Sequence, residues 1–306
     1  MVKVTTNDIR ALRECTSAGL SDCKAALEEC NNNMEDAIDW LRKKGLSVAA
    51  GKSGRIAAEG LIGAVVKDNI GFMVEVNSET DFVARNDRFQ KYVEEILDLA
   101  CGSEMCIDSL KATTHPGRNH SVQDELTSLI AIIGENMGIR RVAHLTVPIG
   151  VIACYVHNRV SPRLGKKGVL VGLESTGDKT RLLELGKQLA MHILAADSKS
   201  ISPEDLDPEL VAREKAIVSE QAQQTGKTEF IDKIVEGRMR KFYEEVTLLE
   251  QTSALDGETK IKDLISVVSR EIDASISVTG FARFVLGEGI EKKTVDFAAE
   301  VAAQLS

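Results

Sequence analysis

The sequence predicts an α+β protein, and three features of its pattern carry that prediction. Helical periodicity dominates residues 1–53 and again residues 203–249. Elsewhere, short apolar runs of β type are joined by turn residues and followed by an amphipathic helix. This order of elements occurs twice, which indicates a core of two related strand-hairpin-helix subdomains.

Residues 1–53 predict a compact module of three short helices with a small core. We expect Ala18-Gly19 to end the first helix and Ser21 to cap the second. Asn33 follows a run of asparagines and is placed to cap the third helix. Gly45 is then expected to end that helix as a C-terminal glycine. Nothing in this module has the pattern of an enzyme site.

The core is predicted to consist of a first subdomain, 54–146, and a second, 147–202 with 250–286. Each opens with two β-type runs and continues with a helix that has one apolar face. The runs are 61–66 and 72–76 in the first subdomain, and 151–156 and 169–173 in the second. The basic segment 159–167 lies between the second pair of runs, and we interpret it as an exposed hairpin loop.

Residues 203–249 predict an inserted antiparallel hairpin of two helices, interrupted at Thr225-Gly226-Lys227. Its apolar residues are spaced by threes and fours and are numerous. We therefore expect the hairpin to pack on a second copy of the chain or on a partner. The C-terminal module, 287–306, is predicted to carry a last short helix over 295–303.

Composition and charge exclude several classes of protein. The chain has 306 residues, of which 43% are hydrophobic and 28% charged, as is usual for a globular protein. A net charge of −9 and an aromatic content of 4% disfavour direct nucleic-acid binding. No apolar run approaches the ~20 residues that span a bilayer, and no leader pattern follows Met1. We expect a cytoplasmic protein whose six cysteines are reduced.

No enzyme motif is present in the sequence. The five histidines are scattered and lack the His-Glu-x-x-His spacing of a zinc site. Neither a Gly-x-Ser-x-Gly elbow nor a phosphate-binding Gly-x-x-x-x-Gly-Lys-Ser/Thr loop occurs. We therefore expect a non-catalytic protein without a metal or cofactor. Besides an enzyme, a second alternative is a binding or scaffold protein that uses the N-terminal module on some other partner.

Five strings of residues, in order along nearly the whole chain, resemble the elongation factor Ts family. They are Asp22-Cys23-Lys24-Ala25-Ala26-Leu27, Glu75-Val76-Asn77-Ser78-Glu79-Thr80-Asp81-Phe82-Val83-Ala84-Arg85, Ile133-Gly134-Glu135-Asn136-Met137, Val235-Glu236-Gly237-Arg238-Met239 and Gly287-Glu288-Gly289-Ile290-Glu291-Lys292. The resemblance implies a ubiquitin-associated-like N-terminal module, two related core subdomains, an association hairpin and a C-terminal helix. It also implies a guanine-nucleotide exchange factor that binds elongation factor Tu with GDP or without nucleotide.

The same resemblance implies which residues meet that partner. By resemblance, the residues that reach the magnesium site of elongation factor Tu are Thr80, Asp81, Phe82 and Val83. The residues that make further contacts with this partner are Lys24, Ile133, Gly134 and His157. From the residues alone, Thr80-Asp81 is a turn signal at the end of an apolar strand. Phe82 as a core residue with Asp81 as a helix cap is the alternative. Ile133 in the core and His157 at a hairpin tip are the corresponding alternatives.

Three segments depart from the family pattern. Thr16-Ser17-Ala18-Gly19-Leu20 replaces the usual Thr-Gly-Ala-Gly-Met, and the loop after His157 is longer and more basic. Thr228 stands where proline is frequent in the family. The sequence leaves open the exchange rate, the affinity, the stoichiometry of the complex and the role of the extended loop 158–168.

Overall fold

A computed structural model describes residues 3–16, 18–101, 104–224 and 231–291, and these form the predicted α+β fold. Within these ranges the helices are α1 (Thr6–Thr16), α2 (Leu20–Glu29), α3 (Met34–Lys52), α4 (Asp87–Ala100), α5 (Ile107–Ala112), α6 (Val122–Ile133), α7 (Lys179–Ala196), α8 (Pro208–Gln224), α9 (Ile231–Val246) and α10 (Ile261–Glu271). The strands are β1 (Glu59–Lys67), β2 (Ile70–Ser78), β3 (Met137–Thr146), β4 (Gly150–His157), β5 (Leu164–Gly165), β6 (Lys167–Glu174) and β7 (Ser277–Val285). The predicted interruption at 225–227 and the predicted helix at 295–303 lie outside the described residues.

Helices α1 to α3 surround a small core of Leu12, Cys23, Ala26, Leu27 and Ala37. The predicted cap at Asn33 is confirmed, because its side chain accepts hydrogen bonds from the N–H groups of Glu35 and Asp36. The predicted cap at Ser21 is wrong, since Gly19 precedes the first residue of α2.

The prediction that Gly45 ends α3 is also wrong. This residue is buried inside the helix, which continues to Lys52. A Cβ atom at position 45 would lie 3.7 Å from the Cβ of Ala131 on α6. The glycine therefore permits close packing of α3 on α6, and this packing overrides its low helix propensity.

Two antiparallel sheets form the centre of the molecule. The first has the strand order β3-β2-β1-β5 and the second has the order β4-β6-β7. In both sheets a hairpin comes first, a long helix follows, and a later strand pairs with the second strand of the hairpin. Helix α4 covers the first sheet and α7 the second, each through a continuous apolar cluster. A third cluster, which includes Ile62, Met73 and Leu170, joins the sheets to each other.

The two hairpins share irregularities as well as strand order. Gly60 in β1 and Gly150 in β4 have φ values of 122° and 135°, where a side chain would be strained. A Cβ atom at either position would lie within 2.2 Å of a backbone carbonyl oxygen on the paired strand. The partner strands carry register shifts at corresponding places, after Glu75 in β2 and after Gly172 in β6.

The basic segment 159–167 is only in part the exposed hairpin loop that the sequence predicts, since Arg159, Val160 and Pro162 are exposed but its later part is not. Its residues Leu164 and Gly165 are buried and form β5, which pairs with the edge of β1 in the first sheet. Arg163 forms ion pairs with Glu94 and Asp98 on α4. The segment therefore ties the second subdomain to the first, and acidic groups neutralise Arg163.

Helices α8 and α9 form the predicted antiparallel hairpin and pack mainly on each other. Their shared cluster includes Val218, Ala222, Val235 and Met239. Many of the apolar side chains described in 203–249 therefore pack against each other within the hairpin. Leu210 and Ile217, one heptad apart on α8, stay exposed at 39% and 40%.

Two helices and one strand of the first subdomain were not predicted, namely α5, α6 and β3. Helix α6 begins with a reciprocal capping box between Ser121 and Asp124. It ends at Gly134, whose left-handed backbone has a φ of 86°. Strand β3 then pairs with β2 along its full length. No helix among the described residues combines the length and the apolar character needed to cross a membrane.

Candidate functional site

The connection between β2 and α4, residues 79–85, carries a large apolar side chain on the surface. Phe82 is 75% exposed, the largest exposure among the exposed large hydrophobic residues that the structure describes. The neighbouring Asp81 carboxylate is 52% exposed and lies 4.0 Å from the Arg85 guanidinium. An aromatic ring and a carboxylate are thus presented side by side to solvent.

This exposure rules out the core alternative for Phe82. The residues that enter the core at this point are Val83 and Ala84, exposed by 3% and 1%. The alternative of Asp81 as a helix cap for Val83 onward is also wrong, since Phe82 precedes the short helical turn Val83–Arg85 and no side chain caps it. The next helix, α4, is capped by Asn86, which accepts from the N–H groups of Arg88 and Phe89.

The second subdomain shows that the fold does not need so long a connection. There, residues 175–177 alone join β6 to Asp178, the cap of α7. Residues 79–85 make the corresponding connection in the first subdomain. The extra length includes the exposed pair Asp81-Phe82.

Two glutamates fix the base of this connection to the segment after α6. Glu135 accepts hydrogen bonds from the N–H of Thr80 at 2.9 Å and from its hydroxyl at 2.7 Å. In return, Glu79 accepts from the N–H of Asn136 at 2.5 Å. The hydroxyl of Ser78 donates to the carbonyl of Thr80 at 3.0 Å. Each segment therefore supplies a carboxylate to the backbone of the other, and we call residues 78–82 with 133–136 the junction.

The end of α3 joins the same junction from the N-terminal module. The Lys52 ammonium donates to the carbonyl of Gly134 at 2.5 Å. The side-chain amide of Asn136 donates to the carbonyl of Arg55 at 2.7 Å, and the Arg55 guanidinium lies 3.6 Å from Glu79. Ile133 is half-buried against the first core cluster. The predicted site residues Thr80, Ile133 and Gly134 are thereby brought together.

The other two predicted contact residues do not take part in this junction. Lys24 is on the surface of α2, 3.6 Å from Glu28 one turn later. His157 is exposed at the end of β4, and its Nδ1 lies 3.0 Å from the Tyr155 hydroxyl. His157 therefore has the hairpin-end position of its alternative interpretation, and this position leaves its ring open to a partner.

Comparison with known proteins identifies the family. The family model described as "Elongation factor TS" matches residues 79–288, which begin at the junction. The chain is 52% identical to Elongation factor Ts of Parvibaculum lavamentivorans over 304 residues, covering 99% of both chains. The chain belongs to the elongation factor Ts family. It is also 51% identical to Elongation factor Ts of Rhodospirillum centenum over 304 residues and 50% identical to that of Bartonella henselae over 303, at 99% of each chain.

Membership of the elongation factor Ts family makes this chain a nucleotide exchange factor of translation elongation, and elongation factor Tu is the partner that the family implies. Exchange makes and breaks no covalent bond. A rigid exposed surface loses less entropy on binding than a mobile one.

A buried carboxylate stabilises β2, the strand that leads to the junction. Glu75 on β2 is fully buried and forms ion pairs with Arg140 and Arg141. Its carboxylate also accepts from the amide of Asn77 and from the N–H of Gly287. Burial by itself raises the pKa of Glu75, but the hydrogen bonds from Gly287, Asn77 and Arg141 outweigh burial and leave the pKa below its ordinary value. The C-terminal end of β7 is thus attached to the first sheet.

Sequence reasoning did not single out Glu79, Glu135 or Asn136. All three lie inside strings that resemble the elongation factor Ts family, next to residues that were singled out. The sequence did contain a signal for two of them, because Glu79 is adjacent to Thr80 and Glu135 is adjacent to Gly134, both predicted contact residues. Their pairing across 55 and 57 residues of sequence is visible only in the folded chain.

Proposed function

We propose that this chain binds elongation factor Tu in its GDP-bound and nucleotide-free forms and promotes GDP release, allowing GTP to enter. The observation that carries the proposal is the 75% exposure of Phe82 on a connection that is anchored at both ends. In this mechanism the ring enters the partner near its Mg²⁺ and phosphate site. Asp81 accepts hydrogen bonds from the partner and orients the ring.

Linkage explains why such an insertion accelerates exchange. A GTPase holds GDP through backbone N–H groups and a Mg²⁺ ion that neutralises the phosphates. An exchange factor that binds the nucleotide-free form more tightly than the GDP form must, in return, weaken GDP binding by the same factor. Insertion that displaces the elements around Mg²⁺ supplies this difference in affinity.

We propose different roles for the predicted contact residues. Asp81 and Phe82 are exposed and reach the partner in this proposal, whereas Val83 is buried and anchors the connection. Lys24 and His157 contribute separate surface contacts, and Ile133-Gly134 forms the part of the junction beside Thr80.

We also propose the domain organisation that the family resemblance implies. It comprises a ubiquitin-associated-like module (1–53), core subdomains of common origin (54–146 and 147–202 with 250–286), an association hairpin (203–249) and a C-terminal module (287–306). The shared strand order and the paired irregularities at Gly60 and Gly150 support common origin. The exposed Leu210 and Ile217 support association through the hairpin. The cytoplasm, where elongation takes place, is the location that this function implies.

Release of fluorescent GDP from elongation factor Tu tests the proposal. The wild-type chain should accelerate release, and Phe82→Ala should lose about 2 kcal/mol of this effect, or roughly thirtyfold, as a central binding residue does. Asp81→Ala should lose less, because an exposed carboxylate contributes mainly one hydrogen bond. Neither change should unfold the protein, since both side chains are exposed.

Leu255→Ala is the matched control, because Leu255 is another exposed large hydrophobic residue, at 55%, and lies outside the junction. It should exchange like the wild type. Failure of the wild-type chain to accelerate release would contradict the exchange function. Wild-type rates for both Phe82→Ala and Asp81→Ala would contradict the insertion mechanism alone.

A further inference from the structure

We propose that Glu135 is a positioning residue for nucleotide exchange, because its carboxylate holds Thr80 and thereby aims the exposed Asp81-Phe82 pair. This inference rests on the proposed exchange function and adds to it a residue that itself stays half-buried. The geometry that supports it is the two-point contact between Glu135 and Thr80.

The exposed pair has little to hold it on its outer side. Phe82 is mostly in solvent, and among the described residues the Asp81 carboxylate forms one ion pair, with the exposed Arg85 guanidinium at 4.0 Å. Exposed ion pairs of this kind contribute little to order. The direction of the ring therefore depends on the residues that precede and follow it.

The following side is fixed by burial. Val83 and Ala84 enter the core, and the side-chain amide of Gln90 donates to the carbonyl of Ala84 at 2.9 Å. The N–H of Arg85 also donates to the carbonyl of Phe82, which closes the short turn Val83–Arg85. Apolar packing and two hydrogen bonds therefore fix the chain that follows Phe82.

The preceding side is fixed by polar groups alone, and Glu135 supplies most of them. All three hydrogen-bonding groups of Thr80 are occupied: the N–H and the hydroxyl donate to Glu135, and the carbonyl accepts from Ser78. A carboxylate that receives two donors from one residue constrains both position and orientation. Thr80 is therefore part of the support for the exposed pair, since both of its donors are used within the chain.

The reciprocal contact of Glu79 on Asn136 keeps the two segments in register. It does not constrain the Thr80 hydroxyl, so it cannot replace Glu135. Loss of the Glu135 carboxylate should leave the segments adjacent while the Asp81-Phe82 pair samples additional orientations. If the pair has the productive orientation in only a fraction of the complexes, the maximal rate of GDP release falls in proportion to that fraction.

The test compares Glu135→Gln, Thr80→Val and the double variant. Two quantities are measured separately: the maximal rate of GDP release, and the concentration of the elongation factor Tu–GDP complex that gives half of this rate. Glutamine removes the charge and keeps one carbonyl acceptor for the Thr80 N–H, while its NH₂ group can only donate to the Thr80 hydroxyl oxygen; valine removes only the hydroxyl. Each single variant should lower the maximal rate about tenfold, which is the loss expected of one charge-assisted hydrogen bond. The half-saturating concentration should change less than about twofold, because the other contact surfaces are intact.

The double variant should be no slower than the slower single variant, since the two changes remove the same interaction. Thr80→Ser keeps both donors and should restore the wild-type rate. Glu250→Gln is the matched control: Glu250 also receives ammonium groups, from Lys260 and Lys262, but lies on another element. It should exchange like the wild type.

Three results would overturn the proposal while the exchange function stands. They are a wild-type rate for Glu135→Gln when Phe82→Ala is slow, decrements that multiply in the double variant, and equal loss for Thr80→Ser and Thr80→Val. A Glu135→Gln variant with a lower unfolding midpoint and equal losses in both readouts would make the residue merely structural and would also overturn it. A wild-type chain that does not accelerate GDP release would overturn the exchange function and this proposal together.

Discussion

Replacing the buried carboxylate of Glu75 should destabilise the protein more than any comparable change on its surface. Glu75→Gln keeps the shape of the side chain but removes the charge that neutralises Arg140 and Arg141. One oxygen becomes an NH₂ group, which would face the guanidinium donors that now contact the carboxylate at 2.5 to 3.1 Å. Two donors then oppose each other in a buried site, and the N–H of Gly287 is left with a weaker acceptor.

The magnitude follows from the surroundings of the two arginines. Removing one partner of a buried ion pair costs about 3–5 kcal/mol. Both arginine side chains keep 29% exposure, and they also donate to the carbonyls of Glu288 and Val285. We therefore expect the lower end, about 3 kcal/mol. This corresponds to a fall in the unfolding midpoint of about 5 °C for a chain of 306 residues.

The assay is thermal and urea unfolding at several pH values, with Glu271→Gln as the control. Glu271 accepts hydrogen bonds from two nitrogens of Arg181, but this pair is exposed and should contribute far less to stability than the buried pair of Glu75. The pKa of Glu75 is lowered in the folded state, so its contribution is fully present above the unfolded value of about 4.3. It is lost as the pH falls through the lowered folded pKa. The difference between the wild type and Glu75→Gln should therefore shrink in acid.

Two results would refute this reasoning. One is a loss of stability at pH 7 no larger than that of Glu271→Gln. The other is a difference between the wild type and Glu75→Gln that stays constant from pH 7 down to about 3, since a titrating carboxylate must lose its contribution there.

Two further predictions concern the fold. Gly60→Ala should lower the free energy of unfolding by about 2 kcal/mol or more, as measured by urea unfolding. The reason is that a Cβ atom would lie 2.2 Å from a carbonyl oxygen of β2, at a backbone φ of 122°. Gly138→Ala is the control and should be nearly neutral, because nothing lies within 4 Å of the added Cβ atom. Leu164→Ala should cost about 2–5 kcal/mol through the loss of a fully buried side chain, whereas Val160→Ala, in the same segment but 42% exposed, should change stability by less than about 0.5 kcal/mol. Equal effects of these last two changes would contradict the docking of β5 on the first sheet.

The elements predicted best are those whose signal lies within a few residues of sequence. The β1–β2 hairpin, the amphipathic α4 and the cap at Asn33 all depend on local periodicity or on a hydrogen bond two or three residues away. Gly45 misled the prediction, because a glycine that ends a helix and one that lets two helices approach look alike in sequence. Only Ala131, on another helix, distinguishes them.

The candidate site divides in the same way. A turn at Thr80-Asp81 was predictable from the strand that precedes it, but the exposure of Phe82 was not. An aromatic residue after a strand is buried or exposed according to which neighbour takes the core position, and here Val83 takes it. Likewise, the basic segment 159–167 has the composition of an exposed loop, yet Leu164 and the acidic partners of Arg163 hold it against the first sheet.

The sequence by itself determined the α+β class and the family, because these follow from local periodicity and from strings of adjacent residues. The tertiary structure alone decided which residues aim the exposed ring. Glu135 meets Thr80 only because β2, α6 and β3 bring two segments together that are 55 residues apart. Hydrogen bonds at such separations depend on the positions of whole elements, and no pattern within either segment encodes them.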